Sequence, residues 1–205
     1  MISPEEARRY YAGEDTAHDF DHVLRVLALA ERIGQAEGAD LEIVRAAALL
    51  HDVARAEEES TGLCHARAGA QRAREILRGH PPEKVEAVAQ AIATHRFREK
   101  SVPQTLEAQV LYDADKLDAI GAIGVARAYA ISGQTRQRLW GPVPADYQGE
   151  AQGTPEHTAV HEFVFKLSRL KETLFTSTAK AMAEERHRYM VEFFARLERE
   201  VKGEL

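Results

Sequence analysis

Residues 46–55 read AAALLHDVAR. A run of alanine and leucine stops at His51 and Asp52. Small apolar residues of this kind build buried helix. A carboxylate in such surroundings is costly unless it is paired, hydrogen-bonded or bound to a cation. The pattern predicts a helix over about 41–55, with Asp40 as its N-cap. Val44, Ala47, Ala48 and His51 then share one face, and Asp52 lies about 100° around from His51.

The flanking sequence is helical as well. Ser3-Pro4-Glu5-Glu6 is a helix start, with a serine cap, proline at the first position and glutamate three residues after the cap. Further helices are expected over about 17–37, 65–78, 82–96 and 113–132. Pro103 marks a loop. Residues 132–157 are rich in glycine and proline and read as a long loop, a candidate lid carrying Trp140 and Tyr147. Residues 156–203 read as one or two amphipathic helices, able to pack on the domain or on a second copy in a homodimer. No stretch alternates as a strand does, so the expected fold is all-α and multi-helical.

Bulk properties narrow the function. A chain of 205 residues, 44% of them hydrophobic, suits a single domain with a real core. The net charge of −6 and the lack of a basic stripe argue against a polymeric nucleic-acid partner. Cys64 is the only cysteine, so no intramolecular disulfide can form. The opening MISPEEARRYY lacks the apolar segment of a signal peptide, and no 18-residue apolar run suggests a membrane span. A cytoplasmic protein without a membrane partner is expected.

Several titratable residues fall on faces that should be inward. His22 shares a face with Val26, Leu29 and Ile33, and His18 lies one turn earlier. Asp113, Asp115 and Asp118 precede an apolar helix, with Asp115 on the face of Ala119, Ala122 and Ala126. Asp113 reads as a cap of that helix. A divalent cation would stabilise Asp52 and Asp115 together and explain two inward imidazoles. Two nitrogens and two carboxylate oxygens suit manganese, iron, nickel, cobalt, magnesium or zinc better than calcium.

Three blocks carry a family resemblance: HDFDHVLRV at 18–26, AALLHDVA at 47–54 and DADKLDAIGAIGVAR at 113–127. They resemble the signature blocks of the HD superfamily of metal-dependent phosphohydrolases, in particular its small stand-alone bacterial members. The tail HEFVFKLSRL at 161–170 is similar to the C-terminal helices of that subgroup. The resemblance implies one HD domain over 1–205, with a metal-binding core at about 15–131, a loop at 132–157 and a C-terminal helical region at 158–203. It implies His22, His51, Asp52 and Asp115 as metal ligands. Asp115 is preferred to Asp113 because it stands in the family's A-D-[KR]-L position.

The implied reaction is hydrolysis of a phosphoester or phosphoanhydride of a small phosphorylated metabolite, most plausibly a nucleotide. Asp52 would also orient the attacking water, and Lys116 would supply positive charge. Arg25, His65, His95, Arg96, His161 and Lys166 are candidate substrate contacts, and Arg98 reads as part of a solvated patch. Some branches hold a second metal through additional histidines. The spacing of His65 and His95 does not clearly reproduce that pattern, so one ion is the expectation. His80 and His187 read as surface or cap residues. The alternative is a catalytically silent or regulatory nucleotide-binding module that retains a structural metal. A (p)ppGpp-type hydrolase would require that branch's own motifs, and no clear set is present.

Overall fold

The computed structural model describes residues 1–11, 20–96 and 102–205. The predicted start of the 17–37 helix, His18 and Arg98 lie outside the described residues. Among those described there are ten α-helices, one 3₁₀ helix and no strand. Packing divides the chain into two compact units. The first comprises 1–115 with 175–179, and the second 116–174 with 180–205.

The first unit is built from α1 (Pro4–Arg8), α2 (Phe20–Glu37), α3 (Leu41–Leu50), α4 (Arg55–Thr61), α5 (His65–Ile76), α6 (Pro82–Ala93) and most of α7 (Leu106–Asp118). The capping signals act as read: Ser3 and Glu6 form a capping box, and Asp40 accepts from the amides of Glu42 and Ile43. Helix α2 packs on α3, α3 on α6, and α5 on α6. The buried faces of α2, α3 and α6 mix alanine with valine, leucine and isoleucine. On α5 the buried stripe is His65, Ala66, Gly69, Ala70 and Ala73, at helical spacing. A Cβ on Gly69 would lie 3.3 Å from the His51 carbonyl oxygen and 3.4 Å from Ile92 Cγ2. Glycine there lets α5 approach the end of α3.

The expected helix over 41–55 is shorter than read. Helix α3 stops at Leu50, and 51–54 form turns closed by Val53 N–H to Leu50 O and Arg55 N–H to Asp52 O. The cause is a side chain. His51 Nδ1–H donates to Ala48 O at 2.8 Å and so satisfies a last-turn carbonyl. Helix α6 likewise stops at Ala93 rather than 96, with His95 Nδ1–H donating to Ile92 O at 2.6 Å.

The expected helix over 113–132 is in fact two. Helix α7 begins at Leu106, so Asp113 and Asp115 lie inside it rather than before it. The chain breaks at Ala119–Ile120, and α8 (Gly121–Gln134) restarts in the second unit. Gly121 takes φ 81°, which only glycine adopts without strain, so the helix cannot run through. The break also ends the face proposed for Asp115 with Ala119, Ala122 and Ala126.

The second unit contains α8, α9 (Ala159–Phe165), a 3₁₀ helix (Leu167–Thr173) and α10 (Ser177–Val201) from Lys180 onward. The one or two helices expected over 156–203 are thus three pieces. Residues 135–158 hold no helix or strand, close to the expected loop. No helix among the described residues is long and apolar enough to cross a membrane.

Candidate metal centre

Four histidines and two aspartates meet in the first unit. His22 comes from the first turn of α2, His51 from the end of α3 and Asp52 from the turn after it. His65 opens α5, His95 follows α6, and Asp115 lies on α7. Five of the six are buried almost completely, and the Asp115 side chain is 18% exposed. The site is therefore assembled mainly from helix ends.

Asp52 is shared. Its Oδ2 faces His51 Nε2 at 3.7 Å and His22 Nε2 at 3.9 Å. Its Oδ1 faces His65 Nε2 at 3.5 Å and His95 Nε2 at 3.7 Å. Within each pair the two Nε2 atoms are 3.3 Å apart. Asp115 Oδ1 joins the first group at 3.5 Å from His22 Nε2. Both His22–His51–Asp52 and Asp52–His65–His95 have the donor set and spacing to hold a metal ion. The sequence spacing of His65 and His95 gave no clear sign of this second group.

Tautomers support a cation. The Nδ1 protons of His51 and His95 go to backbone carbonyls, and that of His65 goes to Glu58 Oε2 at 2.6 Å. Each Nε2 then carries a lone pair on the side of Asp52. Asp52 Oδ1 is buried and, among the described residues, accepts no hydrogen bond. His65 and His95 thus bring two acceptors to a third. Arg55 Nη1, at 3.4 Å from His65 Nε2 and 4.0 Å from Asp52 Oδ1, is the cation beside them. Acceptors converging with so little donation are the arrangement a divalent ion satisfies.

Protonating His51 or His65 does not resolve the arrangement at neutral pH. Burial pushes His51 down to about 4, opposed by the nearby Asp52 carboxylate. Burial also lowers His65, despite Asp52 and Glu58. Burial would raise the Asp52 carboxyl, but His51, His95 and Arg55 hold it well below the usual carboxylate range. An unfolded imidazole titrates near 6.5, so the unfolded chain binds more protons than the metal-free folded chain between about 6.5 and 4. Stability of the metal-stripped protein is expected to fall as pH drops through that window. His51 alone contributes on the order of 3 kcal/mol. Thermal melts from pH 7.5 to 4.5 check this; a melting temperature that does not fall contradicts it.

The remaining predicted residues are placed as follows. Arg96 pairs with Glu58 at 2.7 Å, behind His65. Arg25 is half-buried on α2. Lys116 is buried and belongs to the second unit. His161 and Lys166 also belong to that unit. There His161 Nδ1 accepts from the Thr158 hydroxyl at 2.9 Å, and its ring stands edge-on to Tyr147. Lys166 pairs with Glu162, Glu162 with His157 Nε2, and His157 Nδ1 accepts from the Tyr147 hydroxyl at 2.7 Å. Tyr147 is thereby buried as an anchor of the 135–158 segment, and Trp140 is half-buried. The sequence reading did not single out Arg55 or Glu58. Arg55 carried a signal, since it follows the His-Asp pair by three residues. Glu58 sits in a run of acids that reads as solvated surface.

A helical fold among the described residues, with histidines and aspartates gathered in this way, is that of an HD domain. The HD domain family matches residues 19–120, and the chain belongs to that family. It is 35% identical over 196 residues to the uncharacterized protein YpgQ of Bacillus subtilis, covering 93% of this chain and 87% of that one. The crystal structure of YpgQ in complex with ADP superimposes with a TM-score of 0.76 at 32% identity, over 98% of this chain and 99% of that one. An HD superfamily hydrolase of Bacillus thuringiensis superimposes with a TM-score of 0.76 at 30% identity, over 97% and 94% of the two chains. A predicted HD superfamily hydrolase from an uncultured Thermotogales bacterium gives 0.69 at 32% identity, over 96% and 90%. The fold is that of HD superfamily hydrolases.

Proposed function

We propose that this chain is a divalent-metal-dependent phosphohydrolase that cleaves a phosphoester or phosphoanhydride bond of a nucleotide. The observation that carries the reading is the buried Asp52 carboxylate with two imidazole Nε2 atoms facing each of its oxygens. The ADP bound by YpgQ supports a nucleotide as the ligand class. His22, His51, Asp52 and Asp115 would hold one ion, and Asp52, His65 and His95 a second. When bound, such ions supply a water of lowered pKa as nucleophile and polarise a phosphoryl oxygen.

The protein's own groups do the rest. Asp52 stays ionised and presents both oxygens from a turn fixed by the end of α3. The carbonyls of Ala48 and Ile92 keep the His51 and His95 protons on Nδ1, so their Nε2 lone pairs remain available. Arg55 is 38% exposed beside Asp52 Oδ1 and His65, where its guanidinium can bind oxygens of an incoming phosphate. Arg55→Ala is expected to lower kcat/KM about 10- to 100-fold while metal content stays unchanged. Steady-state kinetics with metal analysis check this, and unchanged kinetics remove Arg55 from the site.

The decisive experiment is a panel of nucleoside mono-, di- and triphosphates and cyclic nucleotides. It is assayed with manganese, magnesium, cobalt and nickel, and both phosphate and pyrophosphate are detected. Metal-dependent turnover is expected. Nucleotide binding without turnover under every metal would make the chain a binding module instead.

A further inference from the structure

The three site histidines with visible Nδ1 partners are not held alike. His51 and His95 give their Nδ1 protons to backbone carbonyls three residues earlier. His65 gives its proton to a charged side chain, Glu58, at 2.6 Å. Backbone bonds of the first kind come with the helix end itself. The His65 bond is a separate choice of side chain, made from a different helix.

Glu58 is fully engaged. Oε2 accepts from His65 Nδ1, and Oε1 pairs with Arg96 Nη1 at 2.7 Å. Burial alone would raise its carboxyl, but the His65 bond and the charges of Arg96 and Arg55 keep it below the ordinary value. Its oxygens are taken on the outer side of His65, away from Asp52, so Glu58 is not itself arranged as a ligand. Arg96 directly follows His95. Glu58 therefore ties the first residue of α5 to the end of α6, the two places that supply the histidines on Asp52 Oδ1. A carboxylate behind an imidazole fixes its tautomer and raises the basicity of the opposite nitrogen. That nitrogen is His65 Nε2, 3.5 Å from the orphaned Oδ1.

We propose that Glu58, anchored by Arg96, is the positioning residue of the Asp52–His65–His95 group: its carboxylate holds the His65 proton on Nδ1 so that Nε2 faces Asp52 Oδ1 as a cation ligand. The proposal rests on the metal-site reading above and extends it to a residue outside the ligand set. It separates the two ion sites chemically. The first is supported by backbone at His51, and the second by a side chain that can be replaced.

The test is metal binding to the stripped, full-length chain, followed by calorimetry and equilibrium dialysis with Mn²⁺ and Co²⁺. The wild type is expected to take two equivalents. Glu58→Ala should weaken the second by about 10- to 100-fold and leave the first unchanged. The intact first equivalent shows in the same titration that the variant is folded. Glu58→Gln keeps an oxygen that can accept from Nδ1–H, so its second equivalent should fall between the two. Unchanged affinities in Glu58→Ala overturn the assignment. So does a Glu58→Gln variant as weak as Glu58→Ala, because hydrogen bonding to His65 would then not matter. If the wild type takes one equivalent, lost in His51→Ala and kept in Glu58→Ala, the metal-dependent reading stands and the Glu58 role falls. If the wild type takes no metal, the metal-dependent reading itself fails.

Discussion

Asp52→Asn is expected to lower nucleotide hydrolysis by about 10³- to 10⁵-fold and to remove both metal equivalents together. Each carboxylate oxygen of Asp52 faces its own pair of imidazole nitrogens. An amide offers one oxygen and one NH₂ group. Whichever way it turns, the NH₂ faces one pair of imidazole nitrogens as a donor and fills the role of the cation there. The other pair keeps an oxygen, but without the negative charge. Metal analysis and turnover on one preparation check both outcomes. Full metal occupancy in the variant would sink the assignment of Asp52 as the shared ligand.

The second large effect concerns stability. Asp113 is completely buried and accepts three hydrogen bonds, from the amides of Phe175 and Thr176 and from the Thr176 hydroxyl, at 2.7–2.9 Å. The Thr176 hydroxyl oxygen in turn accepts from the Ala179 amide in the first turn of α10. Glu37 assists from the end of α2, accepting from the Ser177 hydroxyl and the Thr178 amide. Asp113→Ala leaves buried donors without an acceptor and is expected to cost about 3–5 kcal/mol. For a chain of this size that corresponds to a melting temperature lower by roughly 10 °C. Asp113→Asn keeps one acceptor oxygen and should lose less. Denaturant titration of the three proteins measures the difference. A loss below about 1 kcal/mol in the alanine variant would show that water replaces the carboxylate.

Much of this was legible from local pattern. Helical periodicity ran through the chain, and Ser3 and Asp40 cap as their neighbours suggest. His22 and His51 lay on apolar faces, and the folded chain buries both beside Asp52. What stayed hidden depends on approach in three dimensions. His65 and His95 are 30 residues apart, one at the start of a helix and one past the end of another, so no face periodicity joins them. Asp113, read as a cap of the helix after it, lies inside α7 and instead holds Phe175 and Thr176, more than 60 residues later, just before α10. The break between α7 and α8 was missed because an apolar run reads as continuous helix while Gly121 takes a backbone angle that periodicity does not register. Glu58 was concealed by composition, since three consecutive acids look like solvated surface until one of them is seen behind a histidine.

Gly69 bears on this centre without touching any ion. Its missing methyl group lets α5 rest against the last carbonyls of α3, four residues along from His65. The approach of His65 to Asp52 is thus set in part by main chain against main chain, with the Ile92 side chain beside the contact. A methyl group at that point would press on the His51 carbonyl oxygen and on Ile92, and a shift of α5 to relieve it would carry His65 away from Asp52.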